Sequence, residues 1–387
     1  MKVLKPFFYD EFNCIGSKCI DTCCAGWGIE IDEVTLKKYE NVTGYFGNKL
    51  KDSIQKGKKN YFVLNEKNTC PFLNQDSLCD IYIHIGEDNL CRTCNTYPRI
   101  TRRYQDIYEQ NLVLSCPEVA KIIVKENSSF EFCFGEYKDD CIITVDNSNL
   151  ELLNALIMGR GLSVDIMQLR DIPIWMRIYL CISIADKIQK NININSYGNI
   201  KKNLQSYYDY SYLNNYIHEL AALKENIKLK CDHYKILLNA VKELQLNNRL
   251  FVGYLDETIH FFVDNDEWIE TLIQEIIHSY DRDNSDKVFI YENLIVYYLF
   301  HYYMSSYQSE NIDKYIVFIV ETYALIKLIS MIHWYNSSKI IKDHEMIEII
   351  YSYSRAIEHV SENIDKFYDT IKDKGYDKLS YLITLIQ

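Results

Sequence analysis

The sequence predicts an α+β protein that is predominantly α-helical, with a cysteine-rich, metal-binding N-terminal portion followed by a helical array. Nine of the 13 cysteines fall between Cys14 and Cys116, in a stretch of short β-like segments and turns. From about Asn147 onwards, apolar residues recur at three- and four-residue spacing, which is the period of an amphipathic helix. We therefore place a cysteine-cluster, metal-binding domain at residues 1–145 and a mainly helical domain at residues 146–387.

Charge and hydropathy restrict the partners and the compartment. The chain has 54 acidic against 42 basic residues, and its net charge of −12 disfavours nucleic acid as a partner. Charges and a proline interrupt the N-terminal "MKVLKPFFYDEFNC" where a signal peptide would be apolar. The most apolar window, which starts at Tyr315, contains Glu321 and Lys327, as expected for a buried helix rather than a membrane span. We expect a cytoplasmic protein with no membrane partner.

The cysteine-rich portion shows a mixed pattern of strands and turns. The stretches "YFVLN" from Tyr61 and "LVLSC" from Leu112 are typical of short strands, and glycines break any helix near the first four cysteines. Around Cys133, the segment "SSFEFCFGEYKDDCIITVD" alternates apolar and polar residues. This alternation predicts a β-hairpin at the end of the cysteine-rich portion.

The helical array is predicted from five segments whose apolar residues follow the helical period. They are "NLELLNALIMGRG", "IPIWMRIYLCISIADKIQ", "HYKILLNAVKELQLNN", "DEWIETLIQEIIHSY" and "YENLIVYYLFHYYM". Polar connectors such as "DRDNSD" separate the segments. No internal repeat of fixed period is present.

The cysteines begin as C-x4-C-x3-C-C, and "CPFLNQDSLC", "CRTC" and "SCPE" supply the other five of the N-terminal portion. A pair of zinc sites would require C-x2-C knuckles, and only Cys91 and Cys94 form one. The C-x2-C-x2-C run of bacterial ferredoxins is absent, and the C-x3-C-x2-C motif of radical enzymes fails at Gly26. The alternative to metal binding is that these cysteines are buried free thiols with no role in metal binding or catalysis. Metal is the favoured interpretation, and an iron–sulfur cluster built from dispersed cysteines is favoured over zinc.

The C-x3-C-C element, followed by "CPFLNQDSLCDIY" and "CRTCNTYPR", resembles a cysteine-cluster family described as zinc- or iron-chelating. Further elements narrow the resemblance to the bacterial flagellin lysine-N-methylase family. They are "PFFYDEFNCIGSKCIDTCCAGWGIEID", "LSCPEVA", "YENLIVYYLF" and "ETYALIKLISM". The resemblance spans essentially the whole chain, and its cysteine half is the more specific one.

This resemblance implies transfer of methyl groups from S-adenosylmethionine to lysine ε-amines on flagellin, with a [4Fe–4S] cluster in the N-terminal portion. Such a cluster needs three or four cysteines, which leaves room for zinc as an alternative or second metal. The metal-binding pool comprises Cys19, Cys23, Cys24, Cys70, Cys79, Cys91, Cys94, Cys116 and Cys14. No G-x-G-x-x-G loop follows a predicted strand, so a Rossmann-type methyltransferase is not expected. A non-catalytic metal-binding protein and an iron–sulfur redox enzyme are the competing classes.

Several charged and aromatic residues are candidates for binding the donor or the substrate. Arg92, Arg99 and Arg102, with Arg103 beside them, could bind the donor's carboxylate, or they could balance the charge of anionic thiolates. Tyr97 precedes a proline, and it could contact a substrate lysine or the donor's sulfonium through its ring, or simply fill the core.

Glu292 is the candidate for proton chemistry. It lies in an otherwise apolar helical segment, where an isolated charge is costly to bury. It is either a satisfied core residue or the group that orients or deprotonates the substrate lysine. Methyl transfer to lysine requires the neutral amine, so some group must remove its proton near neutral pH.

Overall fold

The computed structural model describes residues 2–136, 142–360 and 362–387. Helices make up 64% of the structure and strands 9%, which confirms a predominantly helical α+β protein. The chain divides into two compact units. The first comprises Met1–Arg102, Tyr108–Ala120 and Phe132–Ile143, and the second comprises Arg103–Ile107, Lys121–Glu131 and Thr144–Gln387.

The strands form one five-stranded and one three-stranded sheet. They are β1 (Lys2–Pro6), β2 (Glu30–Ile31), β3 (Ile54–Gln55), β4 (Asn60–Phe62), β5 (Arg99–Tyr104), β6 (Ile107–Leu112), β7 (Phe132–Glu136) and β8 (Ile143–Thr144). The larger sheet has the order β7-β1-β6-β5-β8, and β1 runs parallel to β6 and antiparallel to β7. The smaller sheet is antiparallel, with the order β2-β4-β3.

Two strand predictions need correction. The predicted hairpin around Cys133 is wrong: β7 pairs with β1, whereas β8 lies at the opposite edge of the same sheet, beside β5. Its predicted turn, residues 137–141 with Cys141, lies outside the described residues. An alternating pattern identifies a strand but not the strand it pairs with. "YFVLN" overlaps β4, but "LVLSC" does not form a strand, because β6 ends at Leu112 and the next residues turn into a helix.

Eighteen α-helices lie in the described residues. The first five are α1 (Glu33–Asn41), α2 (Gly44–Asp52), α3 (Asp80–Ile85), α4 (Arg92–Thr96) and α5 (Pro117–Lys125). The others are α6 (Leu150–Met167), α7 (Ile174–Asn193), α8 (Ile200–Leu204), α9 (Tyr210–Ala221), α10 (Ile227–Lys242), α11 (Arg249–Asp264), α12 (Ile269–Asp283), α13 (Val288–Tyr302), α14 (Ser306–Ser309), α15 (Ile312–Asn336), α16 (Asp343–Ile357), α17 (Asn363–Asp373) and α18 (Leu379–Ile386). The five segments predicted as helical lie in α6, α7, α10, α12 and α13, which confirms the helical array.

Asparagine side chains fix where several of the long helices begin. The side-chain oxygens of Asn149, Asn226, Asn248 and Asn311 each accept the N–H of the residue three positions later, at 3.0–3.1 Å. These bonds satisfy one of the N–H groups that the first turn of a helix leaves unpaired. The starts of α6, α10, α11 and α15 are thus encoded locally.

The longest helix, α15, belongs to the core of the second unit and packs against α7, α11 and α13. It is the one helix among the described residues that is long and apolar enough to cross a membrane. However, 89% of its most apolar window is buried inside the protein. This burial agrees with the expectation of a buried helix rather than a membrane span.

Gly159 in α6 lies where two neighbours leave no room for a side chain. A Cβ atom there would collide with Ile188 Cδ1 and would lie 2.6 Å from the Tyr303 hydroxyl. We expect Gly159→Ala to lower the free energy of unfolding by about 1–3 kcal/mol, because overpacking outweighs the better helix propensity of alanine. Gly161→Ala is the control, since a Cβ atom there meets nothing within 4 Å. Urea denaturation showing equal stability for both variants would contradict this close packing.

Asp313, in the first turn of α15, should make stability depend on pH. Burial raises the pKa of this carboxyl to about 6, and Asp186 and Asp377 add to the rise. The folded state therefore binds the proton more tightly than the unfolded state, and stability falls as pH rises from about 4 to about 6. We expect Asp313→Asn to be more stable than the wild type at pH 7.5 by about 1–2 kcal/mol, and equally stable at pH 4. Urea denaturation at both pH values tests this; a gain independent of pH would contradict it.

Candidate metal centre

Five of the nine predicted metal ligands lie together in the first unit. Cys70 and Cys91 are buried in its hydrophobic cluster, and Cys24, Cys79 and Cys94 pack against the same cluster. These cysteines come from four separate stretches of the sequence, of which only the "CRTC" pair is local. The fold thus brings dispersed thiols to one place.

Backbone hydrogen bonds fix the first of these stretches against the second. The N–H of Cys70 donates to the carbonyl of Cys24 at 2.7 Å, and the N–H of Gly26 donates to the carbonyl of Asn68 at 3.0 Å. Gly26 has a φ of 84°, a conformation that side chains with a Cβ rarely adopt. Gly26 occupies the position of the third cysteine in the radical-enzyme motif. The turn requires a glycine there because of the positive φ.

Backbone N–H groups lie near three of the clustered sulfur atoms. Cys79 precedes α3 and Cys91 precedes α4, and neither side chain accepts a capping hydrogen bond from its helix. The N–H groups of Ile81 and Tyr82 nevertheless act to lower the pKa of Cys79, those of Thr93 and Cys94 act on Cys91, and that of Phe72 acts on Cys70. N–H groups in such positions favour the thiolate form, which is the form that ligates a metal.

The clustered thiols also affect one another's ionisation. Burial raises the pKa of Cys70 to about 12, and neighbouring Cys24, Cys79 and Cys91 add to the rise. The hydrogen bond between Cys91 and Cys94 lowers the pKa of the Cys91 thiol and raises that of Cys94 well above its usual range. Several thiolates therefore cannot coexist here without a compensating positive charge. A bound metal ion supplies that charge and deprotonates its ligands.

No three or more His, Cys, Asp or Glu side chains in the described part of the chain form a ready-made metal site. What the first unit provides is a set of donors: five sulfurs in one cluster, with backbone N–H groups near three of them. This donor set fits a metal that prefers thiolate, as zinc and iron–sulfur clusters do. Metal binding itself stays a prediction.

Three of the other four predicted ligands are Cys14, Cys19 and Cys23, which lie in the first cysteine stretch. The fourth is Cys116. Cys14 is exposed, and its sulfur accepts the N–H of Gly16 at 3.5 Å. Cys19 is half-buried and its thiol donates to the carbonyl of Asp21 at 3.0 Å. Cys23 is half-buried and Cys116 is buried. Metal ligation by these four thiols stays a prediction.

Tyr97 connects the segment that holds Cys23 with the one that holds Cys116. Its ring lies 5.6 Å from the ring of Trp27, whose indole N–H donates to the carbonyl of Cys23 at 2.7 Å. The Tyr97 hydroxyl lies 3.0 Å from the Ser115 hydroxyl. Both the ring and the hydroxyl of Tyr97 thus have partners, and its contact with a substrate lysine or a sulfonium stays a prediction.

The three arginines predicted to bind the donor differ in their surroundings. Arg99 donates to the carbonyl of Phe12 at 3.2 Å, and its guanidinium lies 5.1 Å from the Phe12 ring centre and 5.9 Å from that of Tyr9. Arg92 is exposed, and Arg102 is half-buried. Arg99 is thus held against an aromatic surface, whereas the Arg92 side chain is open to solvent. Donor binding by all three stays a prediction.

Glu292 lies near the start of α13 in the second unit, and its side chain is 2% exposed. One carboxylate oxygen accepts from Arg170 at 2.9 and 3.0 Å, and the other accepts from Arg177 at 2.6 Å. Arg177 is itself buried, with 3% of its side chain exposed, and it also donates to the carbonyl of Met167. Of the two alternatives for Glu292, this geometry favours a buried core residue whose charge is balanced by its partners. The catalytic role of Glu292 stays a prediction.

The two arginines that hold Glu292 were not singled out from the sequence. Arg177 does carry the signal that identified Glu292, a lone charge in the apolar helical segment "IPIWMRIYLCISIADKIQ". Arg170 carries no such signal, because it lies in a polar connection and also donates to the carbonyl of Asn127 at 2.7 Å. A search of the sequence for a lone charge of opposite sign to Glu292 in an apolar helical segment would have found Arg177 but not Arg170.

The sequence of residues 160–385 matches a family of protein-lysine N-methyltransferases, which gives the class of this protein. The model of the FliB lysine N-methylase C-terminal domain matches residues 160–385, which is more than half of the chain, so the chain belongs to that family.

Curated relatives extend the match across the cysteine-rich portion. The chain is 22% identical to a lysine-N-methylase of Salmonella choleraesuis over 413 aligned residues, which cover 99% of both chains. It is 34% identical to the flagellar biosynthetic protein FliU of Salmonella muenchen over 131 residues, 32% of this chain and 78% of that one. It is 32% identical to a lysine-N-methylase of Salmonella typhimurium over 139 residues, about a third of each chain. No solved structure matches.

Proposed function

We propose that this protein transfers methyl groups from S-adenosylmethionine to the ε-amines of lysine residues on flagellin. Membership of the lysine N-methylase family supports the reaction, and a relative named as a flagellar biosynthetic protein supports flagellin as the substrate. In such a transfer, the neutral lysine amine attacks the methyl carbon, and the sulfonium sulfur leaves as a thioether. The amine must first lose a proton, because a lysine ammonium has no lone pair.

The second part of the proposal is a [4Fe–4S] cluster in the first unit. The five clustered thiols carry it: Cys24, Cys70, Cys79, Cys91 and Cys94 would supply its ligands. When bound with one iron position open, the cluster would supply a Lewis-acid site for the amine and carboxylate of the donor. The chain's own contribution is to hold the five thiols in one cluster and to favour the thiolate forms of Cys79 and Cys91 through nearby backbone N–H groups.

The metal is tested on protein purified without oxygen. We expect a brown protein with a broad absorption band near ~400 nm that bleaches on reduction, and iron and sulfide in equal amounts. A colourless protein that contains zinc and no iron would overturn the cluster and leave the methyl-transfer proposal standing. A second metal centre would appear in elemental analysis as zinc in addition to iron.

The reaction is tested by incubating the purified protein with flagellin and S-adenosylmethionine and measuring flagellin peptides by mass spectrometry. We expect methyl mass increments on lysine residues, and none when S-adenosylmethionine is omitted. Methylation without the donor would overturn the donor assignment. No increments on flagellin, combined with increments on another protein, would overturn the substrate.

A further inference from the structure

The second unit has a surface cleft with the features that an acceptor lysine requires. One face of α11 forms its floor, and the start of α12 and the end of α15 form its walls. Its volume is about 360 Å³, within the range of roughly 300–1,000 Å³ typical of pockets for small ligands. The residues that matter for the inference are Glu257, His260, Phe261, Asp264, Leu272 and Tyr335.

The walls of the cleft suit the apolar stem and the charged end of a lysine. The rings of Phe261 and Tyr335 lie 5.7 Å apart at 75°, and Leu272 adds a further apolar surface. A lysine stem can lie along such walls while its ammonium interacts with a ring face or a carboxylate. Asp264 and Tyr335 are exposed at the cleft, so a lysine carried on a folded protein can enter without unfolding it.

Glu257 supplies a carboxylate that stays ionised. It accepts from His333 Nδ1 at 3.1 Å and from Asn336 Nδ2 at 2.8 Å. The hydrogen bond from His333 is the main cause that lowers the pKa of Glu257, and it correspondingly raises the pKa of His333. Glu345 lies 3.8 Å from the other ring nitrogen of His333 and adds to that rise. With Asp264, the cleft thus presents a carboxylate-rich surface to a cation.

His260 is held in the one tautomer that can take a proton from the cleft. Its Nδ1 lies 2.7 Å from the backbone carbonyl of Asp256, one turn earlier in α11. A carbonyl oxygen can only accept, so Nδ1 carries the hydrogen and the neutral ring has its lone pair on Nε2. Nε2 makes no hydrogen bond within the described part of the chain. The other titratable residues that line the cleft are Glu257 and Asp264 from α11 and Tyr335 from α15.

We infer that this cleft binds the acceptor lysine and that Nε2 of His260 removes its proton. This inference rests on the proposed function. The N–H bond of the lysine ammonium breaks, its proton goes to Nε2, and the freed lone pair forms the N–C bond as the methyl–sulfonium bond of the donor breaks. The proton then leaves His260 to solvent, and a methylammonium and a thioether remain. A base near the acceptor can act only on a side chain that is able to lose its proton. The lysine ammonium can do so and the arginine guanidinium stays protonated, so the base selects lysine over arginine.

Kinetics with flagellin give the first test. We expect His260→Gln to lower kcat by about 10²- to 10⁴-fold with KM for flagellin changed less than about twofold. We expect Asp264→Asn to raise KM about two- to fivefold with little change in kcat. His278→Gln is the matched control, because His278 is an exposed histidine of α12 outside the cleft. Wild-type kcat for His260→Gln would overturn the inference and leave the proposed function intact.

A binding measurement separates failure of the cleft from failure of the proposed function. The probe is Nα-acetyl-L-lysine methylamide, titrated into protein with isotope-labelled histidines and followed by NMR. We expect the resonances of His260 to shift and those of His278 to stay unchanged, with no shift on addition of the norleucine analogue, which lacks the amine. Absence of a shift at His260 would overturn the cleft, even if the wild type methylates flagellin. A shift without any flagellin methylation would support the cleft and overturn flagellin as the substrate.

Discussion

If the first unit binds the proposed [4Fe–4S] cluster, replacing Cys91 and Cys94 together by serine is expected to remove both the iron and the absorption near ~400 nm. Flagellin methylation should fall at least a hundredfold, since loss of a ligand exceeds the roughly 10- to 100-fold effect of losing a ligand's hydrogen-bond partner. The physical reason is the position of the pair: Cys91 is fully buried, and both residues lie in the thiol cluster of the first unit. Elemental analysis, absorption spectra and flagellin mass spectrometry measure the three effects.

Cys133→Ser is the matched control for this prediction. Cys133 lies in the same unit, on β7, but it is exposed and outside the thiol cluster. We expect this variant to keep the iron, the colour and the activity of the wild type. Full methylation by the Cys91→Ser, Cys94→Ser variant without iron would show that the metal is dispensable for the reaction. Loss of helical circular dichroism in that variant would instead show that the pair holds the fold.

The second large effect is expected at Glu292. Glu292→Gln should lower the free energy of unfolding by about 3–5 kcal/mol, because it leaves the buried guanidinium of Arg177 without its counter-charge. Arg170→Met should cost about 1 kcal/mol or less, because 40% of the Arg170 side chain is exposed and water replaces the lost partner. Urea denaturation of both variants measures the difference.

The Glu292→Gln variant also distinguishes a structural from a catalytic role of Glu292. If it is a structural residue, the folded fraction of Glu292→Gln should methylate flagellin within about threefold of the wild type, because a proton acceptor is worth 10²-fold or more. A loss of that larger size at a temperature where the variant is folded would establish proton chemistry at Glu292. It would also count against His260 as the proton acceptor.

Part of the helical half could be predicted because its signals are local. The helical period located α6, α7, α10, α12 and α13. Asparagine caps mark the starts of several helices within three residues. The prediction of a hairpin around Cys133 was wrong because strand pairing is not local. β7 pairs with β1, and the paired residues are more than 100 positions apart. Periodicity carries no information about that distance.

The candidate site could be predicted only as a pool of residues. Spacing identified the cysteines, but which thiols meet depends on contacts such as that between Cys24 and Cys70, which the turn at Gly26 permits. Glu292 was recognisable as a lone charge, whereas Arg170 was not, since nothing in a polar connection marks it as a partner. The cleft around His260 had no signal, because an exposed histidine on an amphipathic helix is ordinary in sequence.

The interleaving of the two units has a consequence for biosynthesis. Residues 103–107 and 121–131 belong to the helical unit, yet they leave the ribosome before Thr144–Gln387, which completes it. At ~5–20 residues per second, translation of that last segment takes roughly 10–50 seconds. Until Arg170 and Asn293 are synthesised within this interval, Asn127, Ile123 and Glu126 cannot accept hydrogen bonds from them. A chain started at residue 146 would never make those bonds, so the helical half should be recovered as folded protein only when the preceding residues are synthesised with it.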